Sequence, residues 1–473
     1  MRHSCETAMA SGTTQSAVGP RVRSAVLLVA ACLWLPACSG CGGSGGSTGT
    51  DAGPIDSGGC SSLSTSCAAT LAAGSAATAS TSAVLEVKWS YDPGLVVYEP
   101  IVLATHGLVA VRTGLNRVGL LELSTGTLSR SLYGDDAEAL ATSLSADEDE
   151  NLYFVGNRVY SRTPGDTKRW TAELDGPFPS GGDGPGVARA PALGSGLATL
   201  AGTDGRIYAL SMTDGSRRWS IEAPVESSET RVVGRADTVL IPSLGEGVLA
   251  VNAATGEKRW RAGKCPHLPF TSAIFPVRAG FVAGEYELRS GGAPRDRFVS
   301  FAVNSCGEDT ATLPGFEVNV LEAPDGRILT ASSDVLVTAV EYRMIDVATG
   351  QRSSPLTLGG ATNTTTSFRF DLVAVGADNF GYVMESYDAV PTGGQPVRAR
   401  LFRIALTDMT VDGPPLELGV GQGAGMSSAM DAQGVLYISL RTRVVAVRTP
   451  SPGPALGRWS VRNGDMHGSL WLN

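Results

Sequence analysis

The chain has 473 residues, of which 42% are hydrophobic and 6% aromatic, and it contains 59 glycines and 26 prolines. This composition, with no long apolar stripes at helical spacing, argues against a helical fold and favours many short strands joined by tight turns. The formal charge of −9, without a basic cluster, argues against nucleic acid or an anionic lipid surface as the main partner.

The first 37 residues have the pattern of a secretory signal peptide with an overlong n-region. Two arginines precede the apolar run AVLLVAACLWL (25–35), which is too short to span a bilayer but suits a signal peptide. The run is followed by Pro-Ala-Cys ending at Cys38, which resembles the lipobox of bacterial lipoproteins. An ordinary signal peptide that happens to contain a cysteine is the alternative. We therefore expect cleavage after residue 37 and a lipid on Cys38, and Ser39 fits sorting to the outer membrane.

Residues 38–83 consist mostly of Gly, Ser, Thr and Ala, as in GGSGGSTGTDAGPIDSGG. Such a segment cannot bury enough apolar surface to fold, so it predicts a flexible tether. Residues 84–473 would then form the folded domain.

Export to an oxidising compartment predicts disulfide bonds between the remaining cysteines. The economical pairs are Cys60 with Cys67 and Cys265 with Cys306, which leaves Cys41 over. A metal site is the weaker alternative, because the four histidines stand far apart along the chain.

From residue 84 onward, one phrase recurs in the sequence. YALSMTDGSRRW (208–219) and LAVNAATGEKRW (249–260) are alike, and looser copies occur at intervals of 39 to 58 residues. Each copy is usually preceded by another short strand with its own turn. A unit of three or four antiparallel strands in about 45 residues is the period of a propeller blade.

The recurring phrase predicts a buried strand, a glycine turn, an outer strand and a tryptophan. Asp214-Gly215 is a hairpin turn, since glycine takes the positive φ that the turn needs. We expect the tryptophans to pack between neighbouring blades with the indole N–H on a backbone carbonyl. A ligand-stacking platform is the alternative, which their recurrence disfavours. These inter-blade residues are Trp170, Trp219, Trp260 and Trp459.

Residues 208–219 and 249–260, and more faintly 343–350, resemble the repeat named after pyrroloquinoline quinone (PQQ) enzymes, which reads Y-A-L-D, then T-G, then W. The resemblance implies an all-β β-propeller of four-stranded antiparallel blades over residues 84–473, and we expect the propeller to be monomeric. Eight blades are favoured, and seven stay open because the strand around Trp89 can close the ring with the last unit. The family includes quinoprotein dehydrogenases and the lipoprotein of the outer-membrane barrel assembly machine.

No catalytic, cofactor or metal motif stands out in the sequence. The chain lacks the adjacent cysteines found in many quinoprotein dehydrogenases and is shorter than they are, so we expect the fold without the quinone. GVGQGAG (419–425) is followed by no helix pattern, and GGDGPG (181–186) has no Lys-Ser/Thr. The acidic run DEDEN (147–151) could bind calcium, but a turn ahead of a strand is favoured.

Two units contain insertions between their second and third predicted strands, within residues 282–298 and 382–401. Long hairpins at these places would project on one face of a propeller, where aromatic and arginine side chains are typical of protein contact sites. A plain hairpin extension with solvated charges is the alternative. The candidate interaction residues are Tyr286, Arg289, Arg295, Arg297, Tyr387, Arg398 and Arg400.

The sequence thus predicts an exported, lipid-anchored propeller at the bacterial outer membrane, on its periplasmic side or at the cell surface. We expect a non-catalytic interaction or scaffolding platform with envelope proteins as partners, no cofactor and no nucleic acid. The alternatives are a quinone-dependent dehydrogenase or another enzyme that uses the propeller channel, and a propeller that binds a small ligand or glycan.

Overall fold

The computed structural model describes most of the chain beyond residue 83 and no residue before it. The described ranges are 84–114, 117–133, 144–156, 158–175, 190–202, 204–223, 232–243, 247–261, 271–278, 280–287, 295–301, 309–314, 319–333, 339–359, 366–389, 398–420, 427–440, 442–455 and 471–472. These residues form β-strands and turns without an α-helix, and within them no helix is long and apolar enough to cross a membrane. The predicted all-β class is confirmed.

Thirty-four strands, numbered along the chain, form eight sheets among the described residues, and we number the sheets in chain order. The first strand, β1 (Glu86–Tyr91), belongs to sheet 8. Sheet 1 contains β2 (Val97–Leu103), β3 (Leu108–Thr113), β4 (Arg117–Glu122) and β5 (Leu128–Tyr133). Sheet 2 contains β6 (Ser145–Ala146), β7 (Leu152–Val155), β8 (Val159–Arg162) and β9 (Lys168–Ala172).

Sheets 3 to 6 repeat this meander of four antiparallel strands. Sheet 3 contains β10 (Ala192–Gly194), β11 (Leu197–Ala201), β12 (Arg206–Ser211) and β13 (Arg217–Glu222). Sheet 4 contains β14 (Val233–Arg235), β15 (Thr238–Ser243), β16 (Gly247–Asn252) and β17 (Lys258–Arg261). Sheet 5 contains β18 (Thr271–Val277), β19 (Gly280–Glu287), β20 (Arg295–Phe301) and β21 (Asp309–Pro314). Sheet 6 contains β22 (Asn319–Glu322), β23 (Ile328–Ser333), β24 (Ala339–Ile345) and β25 (Leu356–Gly359).

The last two sheets depart slightly from this pattern. Sheet 7 contains β26 (Thr366–Val375), β27 (Phe380–Ala389) and β28 (Arg398–Ala405), with β29 (Thr410–Val411) and β30 (Leu416–Val420) both paired to β28. Sheet 8 contains β31 (Ser428–Met430), β32 (Val435–Ser439) and β33 (Val444–Arg448), and β1 is its fourth strand. A further short strand, β34 (Trp471–Leu472), runs parallel to β14.

Pairing between β1 and β33 joins the two ends of the described domain. Trp89 of β1 lies opposite Ala446 of β33 in an antiparallel register. The strand around Trp89 therefore completes the last sheet, and β33 is not left with an open edge. The structure reaches this closure with eight sheets in its described ranges.

The sheets converge on their first strands. Neighbouring first strands contact one another in the pairs β6–β10, β10–β14, β14–β18, β22–β26, β26–β31 and β31–β2. The hydrophobic core lies between successive sheets; one cluster, for example, joins Leu120 of sheet 1 to Phe154 of sheet 2. Strands in the middle of a sheet are covered on both faces, and β12 is buried from Ile207 to Ser211.

Candidate functional site

Three tryptophans join neighbouring sheets through the same pair of contacts. Each donates its indole N–H to a backbone carbonyl of the next sheet: Trp89 to Leu123 (3.0 Å), Trp170 to Met212 (3.0 Å) and Trp219 to Ala253 (2.7 Å). Each ring lies against a turn glycine of that next sheet: Trp89 against Gly126, Trp170 against Gly215 and Trp219 against Gly256. A Cβ added to these glycines would come within 2.4, 2.6 and 2.8 Å of the ring, respectively. These indoles are buried, so their rings and N–H groups are engaged within the fold.

The remaining described tryptophan of the predicted inter-blade set is less buried than these three. Trp260 is half-buried and packs against a small apolar cluster of sheets 4 and 5 that includes Leu240 and Ile274. Trp459 lies outside the described residues, as do Cys38, Cys60, Cys67, Cys265 and Cys306.

A second recurring contact, which the sequence reasoning missed, joins a turn aspartate to the tyrosine of the following strands. Tyrosine hydroxyls donate to the preceding turn carboxylate in three sheets: Tyr153 to Asp147 (2.8 Å), Tyr208 to Asp204 (2.5 Å) and Tyr437 to Asp431 (2.9 Å). Burial, followed by the aspartate charge, raises the pKa of Tyr153 to about 12. The signal in the sequence is an aspartate four to six positions before a strand tyrosine, and its variable spacing hid it.

The acidic run 147–151 is the turn that joins β6 to β7. Asp147 accepts hydrogen bonds from the backbone and side chain of Asn151, and Glu150 is buried. Glu150 accepts from the backbone N–H of Thr105 (2.7 Å), and its Oε2 lies 2.6 Å from Nδ1 of His106 in sheet 1. Burial alone would raise the pKa of Glu150, but the hydrogen bonds from His106 and Thr105 outweigh it and lower the pKa. The run thus contributes one turn and one link between two sheets.

The equivalent turns of sheets 4 to 6 carry a linked group of charged residues. Arg235 donates to the carbonyl oxygen of Arg278 (2.8 Å), and Arg278 donates to the carbonyl oxygen of Pro324 (3.1 Å). Glu322 is fully buried and accepts from the backbone N–H of Arg278 (3.1 Å). Burial raises the pKa of Glu322, against the hydrogen bond and charge of Arg278. These contacts connect successive turns around one rim of the domain. Within the described ranges, no three His, Cys, Asp or Glu residues cluster closely enough to hold a metal ion.

A narrow gap, too small to hold a water molecule, lies between sheets 7 and 8. Its polar lining consists of Asp371, Ser427 and Ser428, and its remaining lining is apolar. Ser428 donates its hydroxyl to the carbonyl oxygen of Val373 across the gap (2.6 Å). That bond ties the two sheets together at this point.

The two predicted insertions form long hairpins between the second and third strands of sheets 5 and 7. In the hairpin of β19 and β20, Glu287 lies opposite Arg295 and Glu285 opposite Arg297. Tyr286 lies opposite Asp296 in the same register, whereas Arg289 is outside the described residues.

The hairpin of β27 and β28 has a similar arrangement. Tyr387 lies opposite Arg398, and Glu385 lies opposite Arg400. Glu385 is buried, and Arg400 donates to its Oε2 from Nε (2.8 Å) and from Nη2. The guanidinium of Arg400 is therefore engaged inside the hairpin. Sheet 6 separates the two hairpins in chain order, and the same strand order in sheets 5 and 7 places the ends of β19 and β27 at the same end of their sheets.

Comparison with known proteins gives a family match for part of the chain and supports the fold. Residues 116–273 match a PQQ-type family described as outer membrane protein assembly factor BamB. A search of curated protein sequences found no match. The structure resembles BamB from Moraxella catarrhalis at 13% identity, with a TM-score of 0.51 over 77% of this chain and 100% of that one.

Two other solved structures are about equally similar to this one. The computationally designed protein Ika8 is 12% identical, with a TM-score of 0.50 over 77% of this chain and 99% of that one. The WD40 domain of SCAP from fission yeast is 10% identical, with a TM-score of 0.50 over 78% of this chain and 99% of that one. The predicted propeller is confirmed: the chain has a β-propeller fold with a PQQ-like repeat segment, and it is similar in fold to BamB.

Proposed function

We propose that this protein is a lipid-anchored propeller of the bacterial outer membrane that binds other envelope proteins as a non-catalytic scaffold. The observation that carries the proposal is the match of residues 116–273 to a family whose name describes an outer membrane assembly factor. The fold similarity to BamB supports the same class of function. Lipid on Cys38 and the tether of residues 38–83 would hold the domain near the membrane while leaving its faces accessible.

The binding surface in this proposal consists of the long hairpins of sheets 5 and 7. β27 and β28 have ten and eight residues, whereas the corresponding strands β7 and β8 of sheet 2 have four each. At about 3.3 Å per residue, the longer strands extend the hairpin by roughly 13–20 Å. Arg295 and Arg297 stand opposite glutamates and Arg398 stands opposite Tyr387, so the hairpins carry charges of both signs and do not require a strongly acidic partner.

Site-specific photo-crosslinking in living cells tests this surface. A crosslinking amino acid is placed at Tyr286 or Tyr387, with Leu128 as the control, because Leu128 is an exposed position on the fourth strand of sheet 1. We expect adducts of defined mass with envelope proteins at the two hairpin positions and none at Leu128. Equal adducts at all three positions, or adducts at Leu128 alone, would contradict the choice of surface.

The anchor has a separate test. Cys38→Ser in the full chain should abolish incorporation of labelled fatty acid and move the protein from the membrane fraction to the soluble fraction. Retention of the label in this variant would contradict lipidation at Cys38.

Reconstitution tests the absence of a catalytic role. The purified protein is incubated with pyrroloquinoline quinone and calcium, then examined for bound-cofactor absorbance and for dye-linked oxidation of alcohols and sugars. We expect neither. Detection of bound cofactor or of oxidation would contradict the scaffold function and support a quinone-dependent dehydrogenase.

A further inference from the structure

The strand β34 occupies the free edge of a first strand. β14 pairs with β15 on one side, and β34 pairs with its other side in a parallel register. Gly234 lies opposite Trp471, and Arg235 lies opposite Leu472. Among the described strands, only β34 pairs with the edge of a first strand that faces away from the second strand of the same sheet.

The neighbours of β34 define which side of the sheets it is on. Besides β14, it contacts β10 of sheet 3 and β18 of sheet 5. These are the first strands of three successive sheets, and the sheets converge on their first strands. A segment beside all three lies on the axial side of the domain, toward which first strands present their unpaired edges.

An unpaired strand edge presents backbone N–H and C=O groups that favour pairing with another extended segment. β14 is short, with three residues, and Gly234 at its centre has no side chain to obstruct an approaching backbone. The pairing with β34 supplies hydrogen-bond partners to that edge, which satisfies polar groups on the axial side.

We propose that the inner edge of β14 is a strand-binding site for an extended peptide, and that the chain fills it with its own residues 471–472. The ligand is recognised mainly through its backbone, as in other cases of strand addition. In this state the axial side of sheets 3 to 5 is occupied by the chain itself. The inference is independent of the scaffold function, because it concerns the axis and not the hairpin face.

Amide hydrogen exchange on the full-length protein tests the site. A variant that lacks residues 471–473 is compared with a control that lacks only Asn473. We expect the amides within Val233–Arg235 that face β34 to exchange about tenfold faster in the first variant, as expected when one or two hydrogen bonds are lost. The amides of β32 in sheet 8 serve as the internal reference and should be unchanged. Unchanged exchange in Val233–Arg235 would overturn the proposal.

A pair of substitutions separates backbone pairing from side-chain packing. Trp471→Pro with Leu472→Pro removes two N–H donors, whereas Trp471→Ala with Leu472→Ala keeps them. The proline variant should reproduce the deletion, and the alanine variant should exchange more slowly than the proline variant. Equal exchange in the two variants would contradict recognition through the backbone.

Addition of a peptide tests whether the edge accepts a strand from outside. The peptide GSLWLN, which has the sequence of residues 468–473, is added to the deletion variant, and GSLPPN is the control. We expect the first to restore protection at Val233–Arg235 and the second to have no effect. Failure of GSLWLN at millimolar concentration, or equal protection by both peptides, would overturn the strand-binding site.

Discussion

Gly256 lies directly against the indole ring of Trp219 from the neighbouring sheet. A Cβ on Gly256 would come within 2.8 Å of Cδ2 of that ring, and the backbone of Gly256 has a positive φ of 73°. The same tryptophan donates its N–H to Ala253, three residues before this glycine. Two separate constraints therefore require glycine here, the turn conformation and the close approach of the ring.

Gly256→Ala is expected to destabilise the domain more than Gly196→Ala. Gly196 has the same φ of 73° but no atom within 4 Å of an added Cβ. Both variants incur about 1–2 kcal/mol from the left-handed conformation, and Gly256→Ala adds about 1–3 kcal/mol from overpacking against Trp219. Urea unfolding of both variants measures the difference in the free energy of unfolding. Equal losses in the two variants would show that the ring contact contributes nothing.

The phrase that recurs in the sequence predicted this region well at the level of strands and turns. A strand followed by Asp-Gly or Thr-Gly and a second strand is a local pattern, and local patterns are visible in a sequence. The partner of each tryptophan is set by the arrangement of neighbouring sheets. Trp219 meets Gly256 because the next repeat packs beside its own, which the period of the repeat implies but does not locate to an atom.

Other contacts carried weaker sequence signals. The aspartate partners of Tyr153, Tyr208 and Tyr437 stand at different spacings, so aligning the repeats does not reveal them. The strand at Trp471–Leu472 has two residues and no periodicity, and its partner Gly234 is far away in the sequence. Pairing of Arg400 with Glu385 depends on the exact hairpin register, which a long insertion leaves undetermined in the sequence.

The buried tyrosine of sheet 2 should make the domain sensitive to alkaline pH. Burial and the charge of Asp147 raise the pKa of Tyr153 from 10.0 to about 12. The unfolded chain therefore loses its phenolic proton first, and this group's stabilising contribution is lost as the pH rises from about 10 through about 12. We expect a decrease of up to about 3 kcal/mol in the free energy of unfolding across that window.

Tyr153→Phe is the variant that isolates this contribution. Its unfolding free energy should decrease less between pH 10 and 12 than that of the unmodified protein, as measured by urea unfolding at each pH. Tyr133→Phe, at an exposed tyrosine, serves as the control and should leave the pH dependence unchanged. Identical pH dependence in the unmodified protein and in Tyr153→Phe would contradict the raised pKa.

The buried carboxylate of Glu150, which links sheets 1 and 2, should stabilise the domain at neutral pH and lose this effect in acid. Hydrogen bonds from His106 and Thr105 outweigh burial and lower the pKa of Glu150 below 4.5. Its stabilising contribution is therefore complete above the unfolded pKa and lost as the pH falls through the folded pKa. Glu150→Gln should lower the free energy of unfolding by about 1–3 kcal/mol at pH 7, since an amide cannot accept from all these donors.

Acid titration distinguishes this link from a general effect of charge. The difference in the free energy of unfolding between the unmodified protein and Glu150→Gln should become smaller below about pH 4.5, the ordinary pKa of the group. Asp149→Asn removes an equal charge from the exposed part of the same turn and should change stability by less than about 0.5 kcal/mol. A constant difference at all pH values would show that the carboxylate charge has no role.

The ion pair between Arg400 and Glu385 lies inside the long hairpin of sheet 7, so Arg400 should stabilise the fold. Burial raises the pKa of Glu385, against the charge and hydrogen bonds of Arg400. Removing the arginine leaves a buried carboxylate without its cation, so Arg400→Met should lower the free energy of unfolding by about 3 kcal/mol at pH 7. Because Glu385 has a raised pKa, it takes up a proton as the pH falls, and the loss should shrink toward pH 4.

The double variant Glu385→Gln with Arg400→Met completes this test. Neutralising the buried carboxylate should recover part of the stability that Arg400→Met loses at pH 7. The effect of Arg400→Met on the free energy of unfolding should then no longer depend on pH between 4 and 7. Urea unfolding of the two single variants, the double variant and the unmodified protein gives the coupling between the residues. Purely additive losses would mean that Arg400 does not stabilise Glu385.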